Sequence, residues 1–153
     1  MYEILLLLHS WLRWAVLGMG IFALYNNYTG WKAQRRFTES DKRINTFFIA
    51  SLHTQLVLGL ILYFGVSPMM EPILADMKGT MKDSVSRFWG VEHIAGMVIG
   101  IAIAQIGSIL SKKQKSEGGK FRTAFVWFLI GLLIMLAVIP FGIWNVERPL
   151  FRI

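Results

Sequence analysis

The sequence predicts an all-α membrane protein: an antiparallel bundle of four transmembrane helices with both termini outside. Three observations predict it. Four apolar runs each reach or exceed the roughly 20 helical residues needed to cross a hydrocarbon core about 30 Å thick. Only 16% of the 153 residues are charged and 55% are hydrophobic, whereas a soluble domain carries about a quarter charged residues. Lysine and arginine gather in two of the three connections. An aromatic content of 14% excludes a disordered chain. The absence of cysteine excludes disulfide scaffolds, iron–sulfur clusters, thiolate zinc sites, thiol nucleophiles and covalently attached c-type haem.

The elements follow in order within a single membrane domain, 1–153. The first span, 4–28, holds one charge, Arg13. It opens Met1-Tyr2-Glu3 with no basic region, and its apolar stretch is too long for a removable signal peptide, so it reads as a retained span. The run 44–70 holds no charge and gives a second span over about 46–67, closed by Pro68 and Pro72. The third span, 88–111, holds Glu92 beside His93. The fourth, 123–146, is uncharged, and Pro140 within it predicts a kink, because proline frees a carbonyl. In the connection 68–87, Ile73, Leu74, Met77 and Met81 lie close to helical spacing. They predict one short amphipathic helix over 72–83 on the outer surface. Gly118-Gly119 predicts a flexible inner turn.

Orientation follows from the cations. The connection between spans 1 and 2 sets Lys32, Arg35, Arg36, Lys42 and Arg43 against Glu39 and Asp41, a net +3. That between spans 3 and 4 sets Lys112, Lys113, Lys115, Lys120 and Arg122 against Glu117, a net +4. The positive-inside rule places both in the cytoplasm. The formal net charge of +7 is therefore a topology signal that touches anionic lipid, and nucleic acid is not needed to explain it. Tyr25, Tyr28 and Trp31 mark the inner interface, and Trp144 the outer one. The expected setting is a lipid bilayer, as a multi-pass protein of the plasma (inner) membrane.

All three histidines, His9, His53 and His93, fall inside spans, where polar residues are costly and mark cofactor positions or hydrogen bonds between helices. Counted at 1.5 Å per residue, His9 and His93 lie at similar depth below the outer boundary, about 7–8 Å. His53 lies about 9 Å above the inner one. Two level imidazoles on different helices are what a six-coordinate b haem needs, so His9 and His93 are the candidate metal ligands. His93, Gly96, Gly100, Ala104 and Gly107 form one helical stripe, on which Gly96 and Gly100 could admit a flat ring. The same stripe is also an ordinary helix-packing face. His9, Arg13, Val16, Gly20 and Ala23 form a second stripe. Arg13, about 13 Å deep, needs a counter-charge or water. The candidates are Glu92, Glu147, a haem propionate or a quinone carbonyl. His53 could ligate a second haem, line a quinone pocket or relay protons. Met77 and Met81 share a helix face and could meet Cu(I), or simply dip into lipid.

On Leu8-His9-Ser10-Trp11-Leu12-Arg13-Trp14, Leu52-His53-Thr54 and Glu92-His93-Ile94-Ala95-Gly96, the chain resembles the small four-helix cytochrome b-like membrane proteins of bacteria. The resemblance implies one or two b haems held by histidines of facing helices, with electrons exchanged with quinones or partner proteins. Two bis-histidine haems take four histidines and this chain has three, so at most one such haem is expected, unless an unusual ligand or a partner chain completes a second. The function expected is b-type haem binding in electron transfer between a quinone and a partner on the outer face. The alternative is a cofactor-free accessory or structural subunit of a larger membrane complex.

Overall fold

The computed structural model describes residues 1–141 and Val146. It is helical, with no strand among the described residues. Among the described residues seven α-helices follow one another: α1 (Tyr2–Lys32), α2 (Glu39–Ile61), α3 (Met70–Ala75), α4 (Met77–Thr80), α5 (Ser84–Arg87), α6 (His93–Lys113) and α7 (Glu117–Ala137). A π-helical turn, Leu62–Val66, prolongs α2, and a second, Phe88–Glu92, joins α5 to α6. Four continuous helical stretches are long and apolar enough to cross a membrane: Tyr2–Lys32, Glu39–Val66, Ser84–Lys113 and Glu117–Ala137.

The four long helices enclose an interior. α1 packs on α2 and α7, and α6 packs on α7 and α2. The closest approach is between α6 and α7, and glycines make it possible. A Cβ at Gly100 would stand 2.8 Å from the Gly131 carbonyl oxygen, and one at Gly96 would stand 2.6 Å from Val138 Cγ1. The α6 stripe of Gly96, Gly100 and Gly107 therefore admits α7, and the expectation that Gly96 and Gly100 open room for a ring is corrected. Mid-bundle, Val16, Ala23, Phe48, Leu52, Ala104, Ala124, Phe128 and Leu132 form a dry core, with the Phe48 and Phe128 rings edge to face at 5.1 Å.

One end of the bundle carries the basic connections, and buried polar groups fasten it. Asp41 is 2% exposed. Its carboxylate accepts from Arg35 Nη1 (2.8 Å) and Nη2 (2.6 Å), from Asn26 (2.9 Å) and from the Thr38 amide (2.8 Å) and hydroxyl (2.7 Å). The Thr38 bonds cap the start of α2. One level deeper, Asn27 and Asn45 exchange hydrogen bonds of 2.7 and 3.3 Å. Glu117 accepts from the Phe37 amide at 2.6 Å and from Lys120 at 2.7 Å, which ties the two basic connections together.

Three predicted elements differ. The amphipathic helix over 72–83 is instead divided into α3 and α4, because Asp76 leaves helical geometry (φ −127°, ψ 78°) and accepts from the Gly79 amide as the cap of α4. Asp83 caps α5 in the same way, and hydrogen bonds from the Ser86 side chain and backbone hold its carboxyl below the usual carboxylate range. Gly118 and Gly119 lie inside the first turn of α7, which Ser116 caps through the Gly119 amide, so they form no separate turn. α7 stops at Ala137, three residues before Pro140, as expected where the residue before proline is pushed out of helical geometry. Pro140 thus ends a helix where a kink was expected. Trp144, Glu147 and most of the chain beyond Phe141 lie outside the described residues.

Candidate functional site

The opposite end holds a cavity of about 170 Å³. Its walls come from the early part of α1, the late part of α2 and its π turn, the start of α6 and the end of α7. The lining is apolar apart from a few groups, among them His9, Ser10, Arg13, Gln55, Tyr63 and His93. The predicted pair is therefore brought together: His9 from α1 and His93 from α6 face one cavity, with Arg13 one turn below His9. Gly96 and Gly100 are not among its lining residues. His53 is exposed on the outer side of α2, away from the cavity.

His93 is the better fixed of the two imidazoles. Its Nδ1 lies 2.8 Å from the Val138 carbonyl oxygen. A carbonyl only accepts, so Nδ1 carries the proton, and in the neutral ring Nε2 keeps its lone pair. This carbonyl is available because α7 ends just ahead of it, which leaves its last carbonyls without helical partners. Pro140 and His93 are thereby linked: α7 stops ahead of the proline, and the Val138 carbonyl just beyond its end accepts from the imidazole. Phe88 and Trp89 hold the ring at centroid distances of 5.9 and 5.5 Å.

The two π turns shape this end. π turns insert an extra residue and recur at functional sites. The Tyr63 hydroxyl, from the first, donates to the Gly90 carbonyl, in the second, at 2.7 Å. Gly90 is also where the cap of short helices sits down: a Cβ there would stand 2.8 Å from Ile73 and 3.1 Å from Thr80. Glu92, one candidate partner of Arg13, accepts from Arg87 at 2.7 Å. Arg13 itself lies with its guanidinium 5.3 Å from the Trp14 ring centroid. Met77 and Met81 are exposed on the cap.

His9 is placed differently. Its ring rests on the bare backbone of Gly59, with Cε1 3.2 Å and Nδ1 3.9 Å from where a Cβ would be. Its main-chain carbonyl accepts from Gln55 Nε2 at 2.9 Å. His9 Nδ1 and Gln55 Oε1 are both buried and make no hydrogen bond. Gln55 is the residue that sequence reasoning underweighted. Positions 53 and 55 are about 200° apart on a helix, so only one can face the interior. The four-residue step from Gln55 to Gly59, a polar group and then a gap on one face, is the signal that selects Gln55.

Two imidazoles, those of His9 and His93, line the cavity. Among the described residues no group of three or more His, Cys, Asp or Glu is placed to hold a metal ion. A metal centre at this position would therefore need a ligand that brings most of its own donors. No protein-family model matches the chain, and no curated protein and no solved structure matches it.

Proposed function

We propose that the protein is a b-type haem-binding membrane protein in electron transfer, with His9 and His93 as axial ligands. The observation that carries this reading is His93 Nδ1 on the Val138 carbonyl, beside a cavity that His9 lines from another helix. Ligating histidines almost always donate their second nitrogen to such an acceptor, which fixes tautomer and ring orientation. The donor set fits: one nitrogen from each of two helices, an arginine among the lining residues, and Gly59 as a bare surface beneath one imidazole. The room must come from movable side chains, since Leu6, Leu17, Leu56 and Met97 line the cavity and the α6 glycines do not. Bound there, a b haem supplies one-electron transfer. Val138 and Gly59 orient the imidazoles, Arg13 supplies positive charge, and the apolar walls exclude water. The electron's other stations, in this reading, are a membrane quinone and a protein partner on the outer face.

The same reading places the chain as an antiparallel bundle in the plasma (inner) membrane. The basic connections would be cytoplasmic and both termini outside, by the positive-inside rule. The cavity then lies in the outer half.

One observation favours the second reading, a cofactor-free accessory subunit. The cavity of about 170 Å³ is close to the ~150 Å³ that holds a single benzene ring. Colour separates the two. Protein purified from haem-replete cells should show a Soret band and, on reduction, split α and β bands. A colourless, iron-free preparation would leave the accessory-subunit reading in place.

A further inference from the structure

We propose that Gln55 is a positioning residue for His9: its Oε1 is the acceptor for the His9 Nδ1–H, directly or through one bridging water, and so makes Nε2 the nitrogen presented to the cavity. The proposal builds on the reading of His9 as a ligand. Gln55 already grips the residue it would serve, since its Nε2 donates to the His9 carbonyl at 2.9 Å. That bond fixes which end of the amide is which, and it leaves Oε1 able only to accept. Oε1 and His9 Nδ1 are both buried and both unpartnered. Two such atoms are costly apart and complementary together, provided Nδ1 carries the proton. Their placement favours this. Gly59 stands one turn beyond Gln55 on the same face of α2, and the Cε1–Nδ1 edge of the imidazole rests against Gly59. Nδ1 is thus turned toward the wall that carries Oε1. A polar pocket with two partners is also a place where a single water is held.

The result would be a matched pair. Val138 takes the Nδ1 proton of His93 through a backbone carbonyl, and Gln55 takes that of His9 through a side-chain amide. Both Nε2 atoms are then left for one centre. A substitution at the Val138 carbonyl is impossible, whereas Gln55 can be changed, so the His9 side is the testable half.

The test is the tautomer of His9 in haem-free protein, labelled with ¹⁵N-histidine in lipid nanodiscs and read by long-range ¹H–¹⁵N correlation. Single His→Gln variants assign the three rings. The expected wild-type form is Nδ1–H. Gln55→Glu should keep it, because a neutral glutamic acid retains one donor for the His9 carbonyl and one acceptor. Gln55→Met, similar in length but without either, should lose it in favour of Nε2–H. A wild-type Nε2–H ring, a Gln55→Glu protein that loses Nδ1–H, or a Gln55→Met protein that keeps it would overturn the proposal. If Gln55→Met does not fold, the wild-type and Gln55→Glu spectra still decide. In haem-loaded protein, Gln55→Met should speed haem loss about tenfold, with rescue by Gln55→Glu. A colourless wild type with the Nδ1–H tautomer would sink the haem reading and leave the Gln55–His9 coupling standing. A coloured wild type with Nε2–H would do the reverse.

Discussion

His93 Nδ1 sits 2.8 Å from the carbonyl oxygen of Val138, two residues before Pro140. A helix end and a candidate ligand are therefore one structural unit. Pro140→Ala removes the stop and lets α7 run on, so that a later amide competes for the Val138 carbonyl. The imidazole would then lose its fixed orientation. The expected outcome is haem retention weakened about tenfold, within the range known for lost outer-shell partners. Haem transfer to an excess of an apo-haem protein measures it. An unchanged transfer rate would separate the proline from the histidine.

The histidines should divide two against one. His9→Leu and His93→Leu should each abolish the low-spin spectrum. His53→Leu should leave the spectrum and the haem content unchanged, because His53 lies on the outer side of α2. Absorbance and iron per protein decide the matter, and a His53→Leu protein that comes out pale contradicts the placement.

Glycines of similar sequence context should respond in opposite senses. A Cβ at Gly100 meets the Gly131 carbonyl oxygen at 2.8 Å, which is backbone and cannot yield. Gly100→Ala should cost about 1–3 kcal/mol as α6 and α7 are forced apart. Nothing lies within 4 Å of a Cβ at Gly18. Gly18→Ala should be neutral or gain up to about 1 kcal/mol, from the better helix propensity of alanine. Thermal or SDS-induced unfolding in one detergent gives both values.

At the basic end, Arg35 is the counter-charge of a carboxylate that is 3% exposed. Arg35→Ala leaves Asp41 buried and uncompensated. A destabilisation of about 3 kcal/mol is expected, the lower part of the range for a broken buried pair, since Arg35 is itself partly exposed. Arg35→Lys keeps the charge but loses the two-pronged contact, and should fall between. Neither should change the spectrum of a ligand in the cavity. The paired measurement of unfolding midpoint and absorbance checks both parts.

The four spans were legible because length and apolarity alone report them: the helices at 2–32, 39–66 and 84–113 contain the first three runs almost entire, while the fourth, at 117–137, begins earlier than expected and stops at Ala137, short of the predicted end at 146. That His9 and His93 line one cavity was legible because both lie early in helices that begin at the same end. The role of Gly96 and Gly100 was misread for a definite reason: a stripe without side chains looks the same whether a ring or another helix fills it. Only the position of α7 distinguishes the two. His53 and Gln55 were hard to rank because they lie among Ser51 and Thr54, a polar cluster that covers several faces of α2, and only the step from Gln55 to Gly59 separates them. The π turns left no sequence signature, and the Tyr63–Gly90 hydrogen bond that joins them spans two distant segments. The break at Asp76 was hidden by methionines that kept helical spacing through it.

The dry core of Phe48, Phe128, Leu52 and their neighbours has one more consequence. It stands between the cavity and the hydrogen-bonded network at Asp41, Asn27 and Asn45. The two polar ends are thus held apart by packed rings and aliphatic side chains, and the core sets the spacing between them as a spacer sets the distance between two clasps.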